Sequence, residues 1–106
     1  MLIKICGIRS LAAAQTAQEA GADLIGFVFA ASRRQIDVAS AAGICKSVSG
    51  PGKVGVFVNQ PLDEVNSIAE QCQLDYIQLH GDEPAEYRRN LNRPLIRAVR
   101  VGPGFS

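Results

Sequence analysis

The chain has 106 residues, 11 of them Lys or Arg and 10 Asp or Glu, for a formal net charge of +1. That length fits one domain but falls short of the roughly 200 residues that a closed eight-stranded α/β barrel needs at minimum. The charges are interspersed, with no like-charge block and no aromatic-basic alternation, which argues against nucleic acid or a membrane surface and makes a small-molecule site the expectation. Three cysteines are too few, and odd in number, for a disulfide framework. No apolar run has the length of a signal peptide or a membrane span, so a soluble, cytoplasmic protein is expected.

In chain order, residues 2–6 (LIKIC) are rich in β-branched apolar side chains and predict a strand that ends on Cys6 and Gly7. Ser10 then suits the N-cap of an alanine-rich helix over 11–20, with Gly21 at its end. A second strand is predicted over 24–29. Asp37 can cap the next helix, which carries Val38, Ala41, Ala42, Cys45 and Val48 on one face and has Gly50 at its end. Residues 54–59 form a third strand, followed by Pro61 in the first turn of a helix bearing Val65, Ile68, Ala69 and Cys72. Strands over 76–80 and 95–101 complete the pattern, with Asp82 placed to cap the helix between them and the breaker Gly102-Pro103-Gly104 after Val101. Cys45 and Cys72 fall on apolar helical faces and read as small buried hydrophobes.

Strands alternating with helices predict βα units and a parallel sheet, whose functional groups gather at the C-terminal edges of the strands. That edge holds Cys6-Gly7, Ser32-Arg33-Arg34, Asn59 and His80-Gly81-Asp82. Within two strands the alternation places Lys4 and Cys6 on one face against Ile3 and Ile5, and Gln78 and His80 on one face against Ile77 and Leu79. A partly polar sheet face fits the interior of a barrel better than a sheet covered by helices on both sides.

Each rim residue has a structural reading beside a functional one. Cys6 is either a packed strand end or a thiolate favoured by Lys4 on the same face. Arg33 and Arg34 are either a solvated pair or a guanidinium fork for a carboxylate or phosphate. His80 is either hydrogen-bonded scaffold or part of a site, and Asn59 reads first as a turn or cap residue.

Taken in order and spacing, KICGI (residues 4–8), GADLIGFVF (21–29), SRRQI (32–36), VGVFVN (54–59) and LDYIQLHGDE (74–83) resemble the N-terminal half of the phosphoribosylanthranilate isomerase family. The resemblance implies the first four and a half βα units of a TIM (βα)8 barrel, a single incomplete domain lacking its C-terminal half. It implies an intramolecular isomerase of tryptophan biosynthesis, which converts N-(5'-phosphoribosyl)anthranilate to the carboxyphenylamino-deoxyribulose phosphate by an Amadori rearrangement without metal or organic cofactor. By this resemblance Cys6 is the general base at the sugar C2', and Arg34 grips the anthranilate carboxylate, or Arg33 if the register is off by one. Gly7 lets the backbone approach the ligand, and Gln78 and His80 line the site. The family's general acid, an aspartate on a later strand, and its glycine-rich phosphate turns have no counterpart in these 106 residues.

Weak or no activity alone, and association with a second copy or a complementary C-terminal half, are therefore expected. Two other readings stay open. One is a complete flavodoxin-like five-stranded binding or signalling module; the other is an inert half-scaffold that assembles with a separate partner.

Overall fold

A computed structural model describes residues 3–31, 33, 35–81 and 83–96. The elements run β1 (Lys4–Cys6), α1 (Leu11–Glu19), β2 (Leu24–Val28), α2 (Val38–Ser47), β3 (Gly52–Phe57), α3 (Leu62–Cys72), β4 (Tyr76–Leu79) and α4 (Ala85–Arg89). The four strands form one parallel sheet in the order β1-β2-β3-β4. Because β2 pairs directly with β3, the order 2-1-3-4-5 of a flavodoxin-like sheet is excluded. Successive crossovers in one direction lay the helices on one face, as in a barrel wall.

Local chemistry sets the element boundaries. Ser10 Oγ accepts from Ala13 N at 3.1 Å, and Asp37 Oδ2 accepts from Ser40 N at 2.9 Å, so both expected N-caps form. Gly21 follows the end of α1 with φ 84°, where a side chain would be strained. Several boundaries differ from expectation. β2 stops at Val28, because the chain folds back so that Ile36 N donates to Val28 O at 2.9 Å. β3 starts two residues early at Gly52 and stops at Phe57, since Asn59 turns the chain with φ 50°. Pro61 is the N-cap of α3 and lies outside its first turn, while Val48, not Gly50, closes α2 and leads out in an extended conformation. At the end of α3 the left-handed position is taken by Gln73, with φ 52°.

The start of the sheet is pinned twice in the same way. Asp23 Oδ2 accepts from Ile3 N and Asp75 Oδ2 from Lys53 N, each at 2.8 Å. The main-chain N–H groups of Asp23 and Asp75 return bonds of 2.8 Å to Ile3 O and Lys53 O. These clamps fix strand register at one end of the sheet and so fix which side chains stand at the other.

Ile25, Phe27, Phe57 and Ile77 point to the helical side, where they pack with Ala14, Ala17, Ala41, Ile44, Val65 and Ile68. Phe29 stacks on Phe57 with ring centroids 5.2 Å apart. The opposite, concave face carries Lys4, Cys6, Gly26, Val54, Val56 and Gln78, as the registers Cys6↔Gly26 and Val56↔Gln78 require. The beginning of the expected fifth strand is visible: Leu95 bridges Ile77 in parallel, and Ile96 N donates to Ile77 O at 2.8 Å. Its remainder, Asp82 and Arg34 lie outside the described residues. No helix among the described residues is long and apolar enough to cross a membrane.

Candidate active site

The site begins where β1 ends. Gly7 has φ 83°, a conformation open to glycine without strain, and both Gly7 N and Ile8 N donate to Gly26 O at 3.0 Å. The chain therefore turns away sharply after Cys6 and leaves that side chain, half-buried, at the concave rim. A Cβ on Gly26 would stand 3.0 Å from Cys6 Sγ, so the thiol lies over β2 at the one position there without a side chain. Gly26 was not among the residues that the sequence pointed to. Its only signal is its place in β2 opposite the cysteine.

On the same face Lys4 Nζ donates to Gln78 Oε1, and Gln78 Nε2 meets His80 Nε2. Gln78 is 4% exposed, and both ends of its carboxamide are engaged. Burial pushes the Lys4 ammonium below its usual value, an effect opposed by the nearby charge of Cys6. Cys6, Gln78 and His80 are thus brought to one rim, as expected, with Lys4 as a fourth member.

The loop after β2 curls onto the same edge. Arg33 is exposed, its carbonyl accepts from Arg9 Nη1 at 3.0 Å, and Gln35 bridges Val28. Asn59 is a turn residue: its N–H donates to Glu83 Oε2 at 2.7 Å, and a Cβ on Gly81 would overlap its carboxamide. Glu83, 8% exposed, was missed in the sequence although it ties the loop after β3 to the loop after β4. Tyr87 reinforces the tie by donating to Gln60 O at 2.6 Å. Away from the rim, burial pushes the Cys45 thiol up to about 12 and Cys72 up to about 11, which keeps both protonated at neutral pH. Their reading as packing residues stands.

Comparison with known families decides the lineage. The model for N-(5'-phosphoribosyl)anthranilate (PRA) isomerase matches residues 3–105. The chain belongs to this family. It is 46% identical over 99 residues to the N-(5'-phosphoribosyl)anthranilate isomerase of Oceanobacillus iheyensis, a match covering 92% of this chain and 48% of the relative. The phosphoribosyl anthranilate isomerase of Thermus thermophilus superposes with a TM-score of 0.87 at 40% identity, covering 93% of this chain and 52% of that one. A PRA isomerase in complex with reduced 1-(o-carboxyphenylamino)-1-deoxyribulose 5-phosphate gives 0.89 at 39% identity, with 93% and 53% covered. The chain spans about half the length of the PRA isomerases it matches. Its sheet corresponds to part of a TIM-barrel wall.

Proposed function

We propose that this chain supplies the base-bearing half of a PRA isomerase site, with Cys6 as the general base. The observation that carries the proposal is the convergence of Cys6, Gln78 and His80 at the C-terminal rim of a concave sheet face in a chain of this family.

The chemistry follows from the substrate. Once the ribose ring of N-(5'-phosphoribosyl)anthranilate opens, C1' carries a protonated imine that acidifies the neighbouring C2'–H. The Cys6 thiolate takes that proton. The C2'–H electron pair becomes the C1'=C2' bond, and the imine pair returns to nitrogen. Reprotonation at C1' and loss of the 2'-hydroxyl proton give the ketose. A base on a strand end is held rigidly, which favours a fixed distance to the carbon acid. Arg34 is assigned to the anthranilate carboxylate, with Arg33 as the alternative, because a guanidinium offers a planar two-point fork. Gly7 keeps the rim open to the ligand, and Gln78 and His80 line it.

Ring opening needs an acid, and the 5'-phosphate needs a clamp. Both are assigned to a complementary C-terminal half, seated on the concave face and the outer edge of β1, which has no strand partner among the described residues. The reaction is placed in the cytoplasm, where free thiols such as Cys6, Cys45 and Cys72 persist.

The test is turnover of N-(5'-phosphoribosyl)anthranilate, followed by anthranilate fluorescence, for the chain alone and mixed with the C-terminal half of the Thermus relative. Loss of an acid alone removes about 10²–10⁴ in rate. The mixture is therefore expected to exceed the isolated chain by at least about a hundredfold. Equal rates would show that the acid and phosphate groups have been misassigned. Sedimentation velocity distinguishes a heterologous pair from a self-associated chain.

A further inference from the structure

Lys4 is the residue on the concave face that the chemistry above leaves without a task. It is a half-buried lysine at the start of a three-residue strand. Drawing an ammonium even partly out of water costs free energy unless an anion meets it. Among the described residues the salt bridge joins Arg93 to Glu70 at 3.5 Å, and no carboxylate meets Lys4. Its hydrogen-bond partner is the neutral oxygen of Gln78. That oxygen holds the ammonium in place and leaves its charge uncompensated.

The group that can compensate it stands two residues on. Residues i and i+2 of a strand share a face, and the registers Lys4↔Leu24 and Cys6↔Gly26 place them in successive layers of the concave side. Neither β2, which pairs with β1, nor β3 beyond it offers an ionisable competitor on this face: they present Leu24, Gly26, Val54 and Val56. From β4 come Tyr76, level with Cys6 through Gly26 and Val54, and His80, whose Nε2 is engaged by Gln78. The charge of Cys6 raises the affinity of Lys4 for its proton.

We infer that Lys4 is a positioning residue: held by Gln78, its ammonium is the fixed positive charge that favours the thiolate of Cys6. The inference rests on the reading of Cys6 as the base, and its own readout is thiol reactivity, with turnover used only to separate the two readings. The probe is iodoacetamide, with the rate of Cys6 alkylation in the 106-residue chain followed against pH by peptide mass spectrometry. An opposite charge a few ångströms away moves a titration by about one unit or more. Lys4→Met and Lys4→Gln are expected to raise the alkylation midpoint by about one pH unit, which slows the reaction about tenfold at a fixed pH below it. Lys4→Arg is expected to keep the midpoint of the parent chain.

Two neutral variants are used so that one that fails to fold, judged by circular dichroism, leaves the other decisive. An unchanged midpoint in a folded neutral variant overturns the inference. So does a Lys4→Arg midpoint that rises as far as that of the neutral variants, because charge would then not be the cause. If the midpoint shifts but Cys6→Ala retains turnover in the reconstituted site, the coupling stands and the general-base assignment falls. If the midpoint is unchanged and Cys6→Ala is inactive, the reverse holds.

Discussion

Cys6→Ala in the chain reconstituted with a C-terminal half is expected to lower kcat by roughly 10²–10⁴-fold, the usual contribution of a positioned general base. The loss should fall on kcat, with KM for N-(5'-phosphoribosyl)anthranilate changed little. In the proposed mechanism the thiol acts only on the proton moved in the transition state, and the carboxylate and phosphate contacts that would hold the ground state are assigned to other residues. The fold should survive. Cys6 is half-buried at a rim, outside the core between sheet and helices, and Gly7 and Ile8 keep their bonds to Gly26 O whatever side chain precedes them. Steady-state kinetics beside a thermal unfolding curve check both halves of the expectation. A Cys6→Ala assembly that turns over at the parent rate would remove Cys6 from the chemistry.

The largest expected effect on stability comes from Phe27→Ala. Phe27 is fully buried in the middle of β2, between the concave face and the helical layer, and belongs to the same core as Ile25, Phe57 and Ile77. Removing a buried phenyl ring forfeits its transfer free energy and leaves a cavity, at a cost of about 3–5 kcal/mol. A domain of this size is stable by only about 5–15 kcal/mol, so the variant should be mostly unfolded in moderate urea. The measurement is the urea midpoint by circular dichroism, with Leu11→Ala, 39% exposed in the parent, as the comparison that should move little. A Phe27→Ala midpoint within experimental error of the parent would mean that β2 is not the centre of the core.

These two residues also show what a sequence can and cannot disclose. Cys6 could be placed on one face with Lys4 because strand alternation is a property of the backbone, whereas Phe27 was read only as part of a strand. The caps Ser10 and Asp37 were legible because each bonds a main-chain N–H three residues ahead. The departures are of another kind. Gln73 occupies a left-handed turn that glycine usually takes, and nothing in the neighbouring residues marks it. Glu83 meets Asn59 across 24 positions and Lys4 meets Gln78 across 74, so both contacts exist only after the strands have been set side by side. The paired clamps of Asp23 and Asp75 likewise need two strands to be seen. The rim was readable as a set of candidates because topology delivers strand ends to one edge. The bond between Lys4 and Gln78 was not, because it joins residues from opposite ends of the chain.

The central claim, that Cys6 takes the C2' proton, is tested most directly by substrate carrying deuterium at C2'. The reconstituted assembly should convert it more slowly than protiated substrate and release the label to solvent, and Cys6→Ser should release it at least about a hundredfold more slowly. Release by Cys6→Ser at the parent rate would contradict the account and place the base elsewhere on the rim.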